Sequence, residues 1–191
     1  MAYASIADVR AYLNVTSSAE DVLLGAMCTR AQAIVDNYTR RTFEADTDTV
    51  VRFNPLVDVD GRTLWFTDRD LAALTTVVNG DGVTIPATAY VFEPSLGPPW
   101  FGVKLKFYSG YTWQAASDPE DSIALTGRWA FSTTAPADIA QATVRLAAWL
   151  YRQRDNTTDV EMLRITPQGF PLVPPTLPAD VKAILDLRRR Q

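Results

Sequence analysis

The chain has 191 residues, 47% of them hydrophobic, enough to bury a core as one domain or as one domain with a large insertion. Its formal net charge of −4 excludes a protein that wraps nucleic acid through bulk positive charge. The absence of histidine and the single cysteine exclude histidine-dependent triads and an intrachain disulfide.

Ser5 followed by Asp8 predicts a capping pair that opens a short helix, with Ile6, Val9, Tyr12 and Leu13 on one side. Ser17 followed by Glu20 predicts a second capping box. From there Leu23, Met27, Arg30 or Ala31, Ile34 and Tyr38 recur at helical spacing, and Leu24 and Val35 widen the stripe. Cys28 falls inside this helix, where a small buried hydrophobe is the expected role. The helix leaves through Tyr38-Thr39-Arg40-Arg41-Thr42-Phe43.

The pattern then becomes β-like. Thr49 to Phe53 and Arg62 to Phe66 flank Asp60-Gly61. Leu74 to Val78 leads into Asn79-Gly80-Asp81-Gly82, a hairpin signal because such a turn needs positive φ. Ala89 to Phe92 follows. Val103, Leu105 and Phe107 alternate with Lys104, Lys106 and Tyr108, and Ile123, Leu125, Trp129 and Phe131 alternate with Ala124, Thr126, Arg128 and Ala130. Together these runs predict an antiparallel sheet of roughly five or six short strands.

Helix returns at Pro136-Ala137-Asp138-Ile139, with proline and an acid in the first turn. Ile139, Ala142, Leu146, Trp149 and Leu150 make its apolar stripe, and Arg145, Arg152 and Arg154 carry charge. The segment 155–177 holds Pro167, Pro171, Pro174 and Pro175 and reads as an extended arm without regular structure. Pro178-Ala179-Asp180-Val181 opens a last short helix that ends in Arg188-Arg189-Arg190. The fold class expected is α+β: a small helical bundle formed by the N- and C-terminal segments, with an antiparallel β insertion in the middle. Its parts are an N-terminal helical portion of the core (1–44), a β-rich insertion (45–135), a core helix (136–154), and a proline-rich C-terminal arm with a short helix (155–191).

Little in this sequence points to catalysis. The carboxylates at Glu44-Asp46-Asp48, Asp58-Asp60, Asp68-Asp70 and Glu120-Asp121 have the composition of solvated turns. Asp58-Val59-Asp60-Gly61 resembles the start of a calcium loop, but the glycine comes too early and the bidentate glutamate is missing. No metal, cofactor or catalytic residue is expected. No apolar run approaches a membrane span, and Met1 to Ser5 lacks the character of a signal peptide, so the expectation is a soluble chain made in a reducing cytoplasm. Two aromatic loops, Pro98-Pro99-Trp100-Phe101 and Tyr111-Thr112-Trp113, read either as interface anchors or as covers for sheet edges. The closing arginines read either as complements to a helix dipole or as a docking tail.

These blocks, in order, resemble the head–tail connector proteins of tailed bacteriophages, also called adaptor or head-completion proteins. The resemblance rests on Val9-Arg10-Ala11-Tyr12-Leu13, Asp21 to Leu24, the Tyr38 to Phe43 exit, Leu125-Thr126-Gly127-Arg128-Trp129, Pro136 to Ala142 and Ala147 to Arg152, with Leu74 to Val78, the Asn79-Gly80 turn and Tyr90 between them. The long loop from Gly110 to Ser122 and the proline-rich arm depart from the family pattern. The resemblance implies a structural virion protein without catalysis. Such a protein forms a ring, commonly twelvefold, beneath the portal protein, extends the channel through which double-stranded DNA passes, and docks a stopper or tail-completion protein. It is made in the host bacterial cytoplasm and ends in the neck at the head–tail interface. On that footing the expected portal contacts are Arg188, Arg189, Arg190, Arg152 and Arg154, with the proline-rich arm. Trp100, Phe101, Tyr111 and Trp113 are the expected contacts with neighbouring subunits or the distal partner. The alternatives are a stopper or tail terminator from the same neck, a small carboxylate-dependent hydrolase, and a monomeric β-rich binding module.

Overall fold

A computed structural model describes residues 3–153, 164–165, 171–172 and 177–190. The chain divides into two compact units: Arg41–Ala135, which is β-rich, and Ala2–Arg40 with Pro136–Gln191, which is mainly helical.

In the helical unit, α1 (Ile6–Leu13) is opened by the predicted box. The Asp8 N–H donates to Ser5 Oγ at 3.1 Å, and the Ser5 N–H donates to the Asp8 carboxylate at 3.1 Å. The second predicted box does not form. Residues 17–20 close into a turn of their own, in which the Ala19 N–H donates to Ser17 Oγ at 3.2 Å and the Asp21 N–H to the Ser18 carbonyl at 3.1 Å. The Glu20 carboxylate accepts from the Tyr151 hydroxyl instead, and α2 runs Asp21–Thr39.

The buried line of α2 is Leu24, Met27, Cys28, Ala31, Val35 and Thr39. It is rotated from the expected Leu23–Ile34–Tyr38 line, because Leu24 and Val35 lie at the centre of the contact rather than at its margin. Burial raises the Cys28 thiol pKa. The buried Thr39 hydroxyl donates to the Val35 carbonyl at 2.7 Å, which satisfies it without a long-range partner. On α3 (Ala137–Gln153), Ile139, Ala142, Leu146, Ala147 and Ala148 are buried, and the alanines let its neighbours α1 and α2 approach closely. A short antiparallel ladder, β8 (Arg164–Ile165) with β9 (Pro171–Leu172), forms where the proline content predicted no regular element. The last helix, α4 (Ala179–Asp186), adds Val181 and Leu185 to the helical core.

The β unit holds two sheets rather than the single one expected. In the first, β7 (Ile123–Arg128) is central and pairs antiparallel with β1 (Thr49–Phe53) and β4 (Ala73–Val78). In the second, the order is β2 (Val59–Asp60), β3 (Thr63–Trp65), β6 (Gly102–Leu105), β5 (Tyr90–Glu93). One core serves both, built on Phe53, Leu64, Val77, Val103, Ile123 and Leu125. Burying each such side chain contributes about 1.5–3 kcal/mol before the entropy of ordering it is counted.

β6 ends at Leu105, earlier than the alternation predicted. Phe107–Ser109 form a 3₁₀ turn closed by Gly110 at φ 76°, which turns Phe107 and Tyr108 outward. The Asn79–Gly82 turn does form, with Asn79 N–H to the Val83 carbonyl and Gly82 N–H to the Asn79 carbonyl, both at 2.9 Å. Only Gly82 in it has positive φ. No helix among the described residues is long and apolar enough to cross a membrane.

Candidate interaction surfaces

Four of the clustered acids, Asp48, Asp58, Asp68 and Asp70, have defined partners. Asp70, buried, binds Arg41 at 3.1 Å; Asp68 binds Arg69 at 2.6 Å; Asp48 meets Arg128 at 3.4 Å; and Asp58 accepts the Asn54 N–H at 2.8 Å. In the helical unit, burial raises the Asp36 carboxyl pKa, and the Tyr3 hydroxyl, donating at 2.7 Å, partly offsets it. Among the described residues no group of three or more His, Cys, Asp or Glu could hold a metal ion.

The four aromatic residues expected at an interface are all half-buried in the β unit. Trp100 stacks on Phe92, centroids 3.8 Å apart and planes 11° apart, while its main chain exchanges hydrogen bonds with Leu71. The Phe101 N–H donates to the Glu93 carbonyl at 2.7 Å, and its carbonyl accepts from Phe66 at 2.7 Å. Tyr111 and Trp113 pack against the core, and the Trp113 indole N–H donates to the Arg62 carbonyl at 2.9 Å. Trp100, Tyr111 and Trp113 thus pack against the β core, and Phe101 is tied in through its main chain.

The exposed aromatic surface lies elsewhere, at Phe107 (73% exposed) and Tyr108 (94% exposed), whose rings meet edge to face at 4.9 Å and 84°. Sequence reading missed it because the alternation through Lys104 to Tyr108 looked unbroken. The Ser109-Gly110 pair is the turn signal that could have revealed it. A groove of about 340 Å³ opens beside these rings, lined by Pro86, Ala89, Lys106, Phe107, Tyr108 and Tyr111.

Arg62 fixes the ledge from below. Its Nε donates to the Leu105 carbonyl at 3.0 Å, and one terminal nitrogen donates to the Lys106 and Tyr111 carbonyls at 2.5 and 3.0 Å. The guanidinium also lies 5.6 Å from the Phe107 centroid. One planar fork thus binds three carbonyls on both sides of the 3₁₀ turn. Asn79 holds the next stretch of chain. Its amide donates to the Thr112 carbonyl and its side-chain oxygen accepts from Gln114 N–H, both at 3.0 Å. Gly80 is required for that approach, since a Cβ there would lie 2.2 Å from the Gln114 carbonyl oxygen.

The predicted basic residues do not form one patch. Arg188 binds Asp138, at the start of α3, through two nitrogens at 2.9 Å. Arg189 lies 5.6 Å from the Tyr38 ring centroid, and the Arg190 N–H donates to the Thr39 carbonyl at 2.9 Å. Arg152, at the other end of α3, lies 5.9 Å from the Tyr12 ring centroid. Asp138 and Arg152 are about 21 Å apart along the helix axis. Arg154 lies outside the described residues, as does most of the 155–177 arm.

No protein-family model matches the sequence, and no curated protein matches it. Solved structures do match. A chain in the neck of an empty GTA particle, computed with C6 symmetry, aligns with TM-score 0.58 and 17% identity over 96% of this chain and 88% of that one. A chain in the virion of a native gene transfer agent (GTA) particle aligns equally well, with TM-score 0.58, 17% identity and the same coverage. In the neck of the native GTA particle, computed with C12 symmetry, the TM-score is 0.54 over 96% of this chain and 87% of that one. At this identity the likeness is one of fold, and it extends over nearly the whole chain.

Proposed function

We propose that the chain is a structural, non-catalytic subunit of the neck of a phage-like virion, a connector that assembles as a ring under the portal. The ring lengthens the DNA channel and docks the next neck or tail component. The observation that carries this reading is the fold shared with neck chains over 96% of the sequence. Two further features support it. Asp48, Asp58, Asp68 and Asp70 are engaged in ion pairs or a backbone hydrogen bond, and a net charge of −4 suits a conduit that must not hold its DNA by bulk charge. Arg188, Arg189 and Arg190, together with Arg152 and Arg154, are the candidates for portal contact.

The test is co-expression with the portal protein of the same genome, followed by purification and imaging of the complex. A symmetric ring of this chain on the portal is the expected result. Failure to bind that portal, with both proteins folded, would overturn the reading. Binding only to a portal already carrying another ring would assign the chain to the stopper position instead.

A further inference from the structure

The Phe107–Tyr108 ledge asks for an occupant. Two adjoining aromatic rings this exposed are uncommon unless another surface covers them, and here they are held rigidly by the Arg62 fork rather than left on a loose loop. The groove beside them presents two tyrosines, a phenylalanine, a proline and no carboxylate. Its one cation, Lys106, already donates to the Thr88 carbonyl at 2.8 Å. Such a groove suits an uncharged, ring-rich, extended segment. Polyproline II chains have these properties: they lack internal hydrogen bonds, lose little entropy on docking, and lie across aromatic surfaces.

The chain itself carries a segment of matching composition. Phe170 to Ala179 contains no charged residue and two consecutive Pro-x-x-Pro repeats, Pro171-Leu172-Val173-Pro174 and Pro175-Thr176-Leu177-Pro178. Pro178 has φ −55° and ψ 135°, close to polyproline II geometry. We propose that the groove at Phe107, Tyr108 and Tyr111 receives the Pro175–Pro178 segment of a second copy of this chain. Each subunit then offers one groove and one segment. A contact of that head-to-tail kind propagates from copy to copy and closes into a ring when the rotation permits. The contact rests on these residues alone and does not require the neck reading.

The experiment uses the full chain and a labelled synthetic peptide spanning Gly169 to Ala179, followed by fluorescence anisotropy. Saturable binding is expected, weakened roughly tenfold or more by the double substitution Phe107→Ala/Tyr108→Ala, the scale of losing interface aromatic anchors. Replacing Pro175 and Pro178 of the peptide by alanine has the same expected effect. Tyr108→Ala alone serves as the second variant, because a side chain 94% exposed is removable without loss of fold, checked by near-ultraviolet circular dichroism. Absence of saturable binding, or equal affinity for wild type and both variants, overturns the proposal.

Sedimentation of the full chain tests the source of the segment. Concentration-dependent association is expected for the wild type. It is expected to be lost in the groove variant and in the Pro175→Ala/Pro178→Ala variant, and to return as pairs when the two are mixed. A wild-type chain that stays monomeric while it binds the peptide overturns the second-copy occupant. None of these readouts involves the portal, so their failure leaves the connector reading to be decided by imaging.

Discussion

Arg62 and Trp113 bind each other's stretch of chain reciprocally. The Trp113 indole donates to the Arg62 carbonyl at 2.9 Å, while the Arg62 guanidinium donates to the carbonyl of Tyr111, two residues before the indole, at 3.0 Å. Arg62→Lys keeps the charge but cannot span three carbonyls. It is expected to destabilise the β unit by about 1–3 kcal/mol, since half-buried acceptors lose their donors. Urea unfolding followed by circular dichroism measures this. An unchanged midpoint would mean that solvent replaces the fork at no cost.

Gly80→Ala tests the close approach beneath the 112–114 stretch. A Cβ 2.2 Å from the Gln114 oxygen has to displace backbone, and that backbone is tied to Asn79. A loss of about 2 kcal/mol or more is expected. Asn79→Ala should lose a similar amount by leaving the Gln114 N–H and the Thr112 carbonyl unpaired. Faster amide hydrogen exchange at Gln114 in both variants is the local readout. Unaltered exchange would show that the clamp is not what holds this stretch.

Asp36 predicts a pH dependence. Burial sets its folded pKa above the ordinary carboxylate value of 3.8, so between the two values the folded state binds more protons than the unfolded one. Stability attributable to this group therefore falls as pH rises through that window, and the deficit is complete above the folded pKa. Asp36→Asn keeps an acceptor for the Tyr3 hydroxyl and removes the charge. Its stability at neutral pH is expected to equal or exceed that of the wild type, with a flatter slope on the alkaline side of the ordinary carboxylate value. Thermal melts at a series of pH values would show the reverse if the carboxylate were stabilising as an ion.

Arg188→Ala separates a structural role from a docking one. The ion pair with Asp138 is about one-third exposed on each side, so its loss should cost no more than about 1 kcal/mol. Asp138→Ala should cost about the same, and the double variant little more than either. If Arg188 also contacts the portal, Arg188→Ala lowers portal co-assembly more than Asp138→Ala does. Equal effects would confine Arg188 to holding the terminal segment in place.

The local signals in the sequence were the dependable ones. The Ser5–Asp8 box, the Asn79–Gly82 reversal and the apolar spacing of α3 each concern neighbours within one or two turns of chain, where capping and periodicity apply directly. The Ser17–Glu20 box failed because residues 17–20 form a separate turn and α2 begins only at Asp21, past the position Ser17 would cap. The exposed Phe107–Tyr108 pair was missed for a related reason. Alternation shows which residues share a face of a strand, but not where the strand stops.

By itself the sequence determined the class of elements, their order and the return of helix after the β insertion, since these follow from propensity, spacing and capping over short range. Tertiary structure decided which aromatic residues are covered and which are offered. Trp100 and Trp113 are half-buried because they stack on Phe92 and hydrogen-bond to Arg62, residues eight and 51 positions away. Phe107 and Tyr108 are exposed because β6 ends at Leu105 and Arg62 binds the carbonyls around the turn that follows. Exposure depends on what the rest of the chain brings alongside, and contacts of that range leave no periodic trace in the sequence.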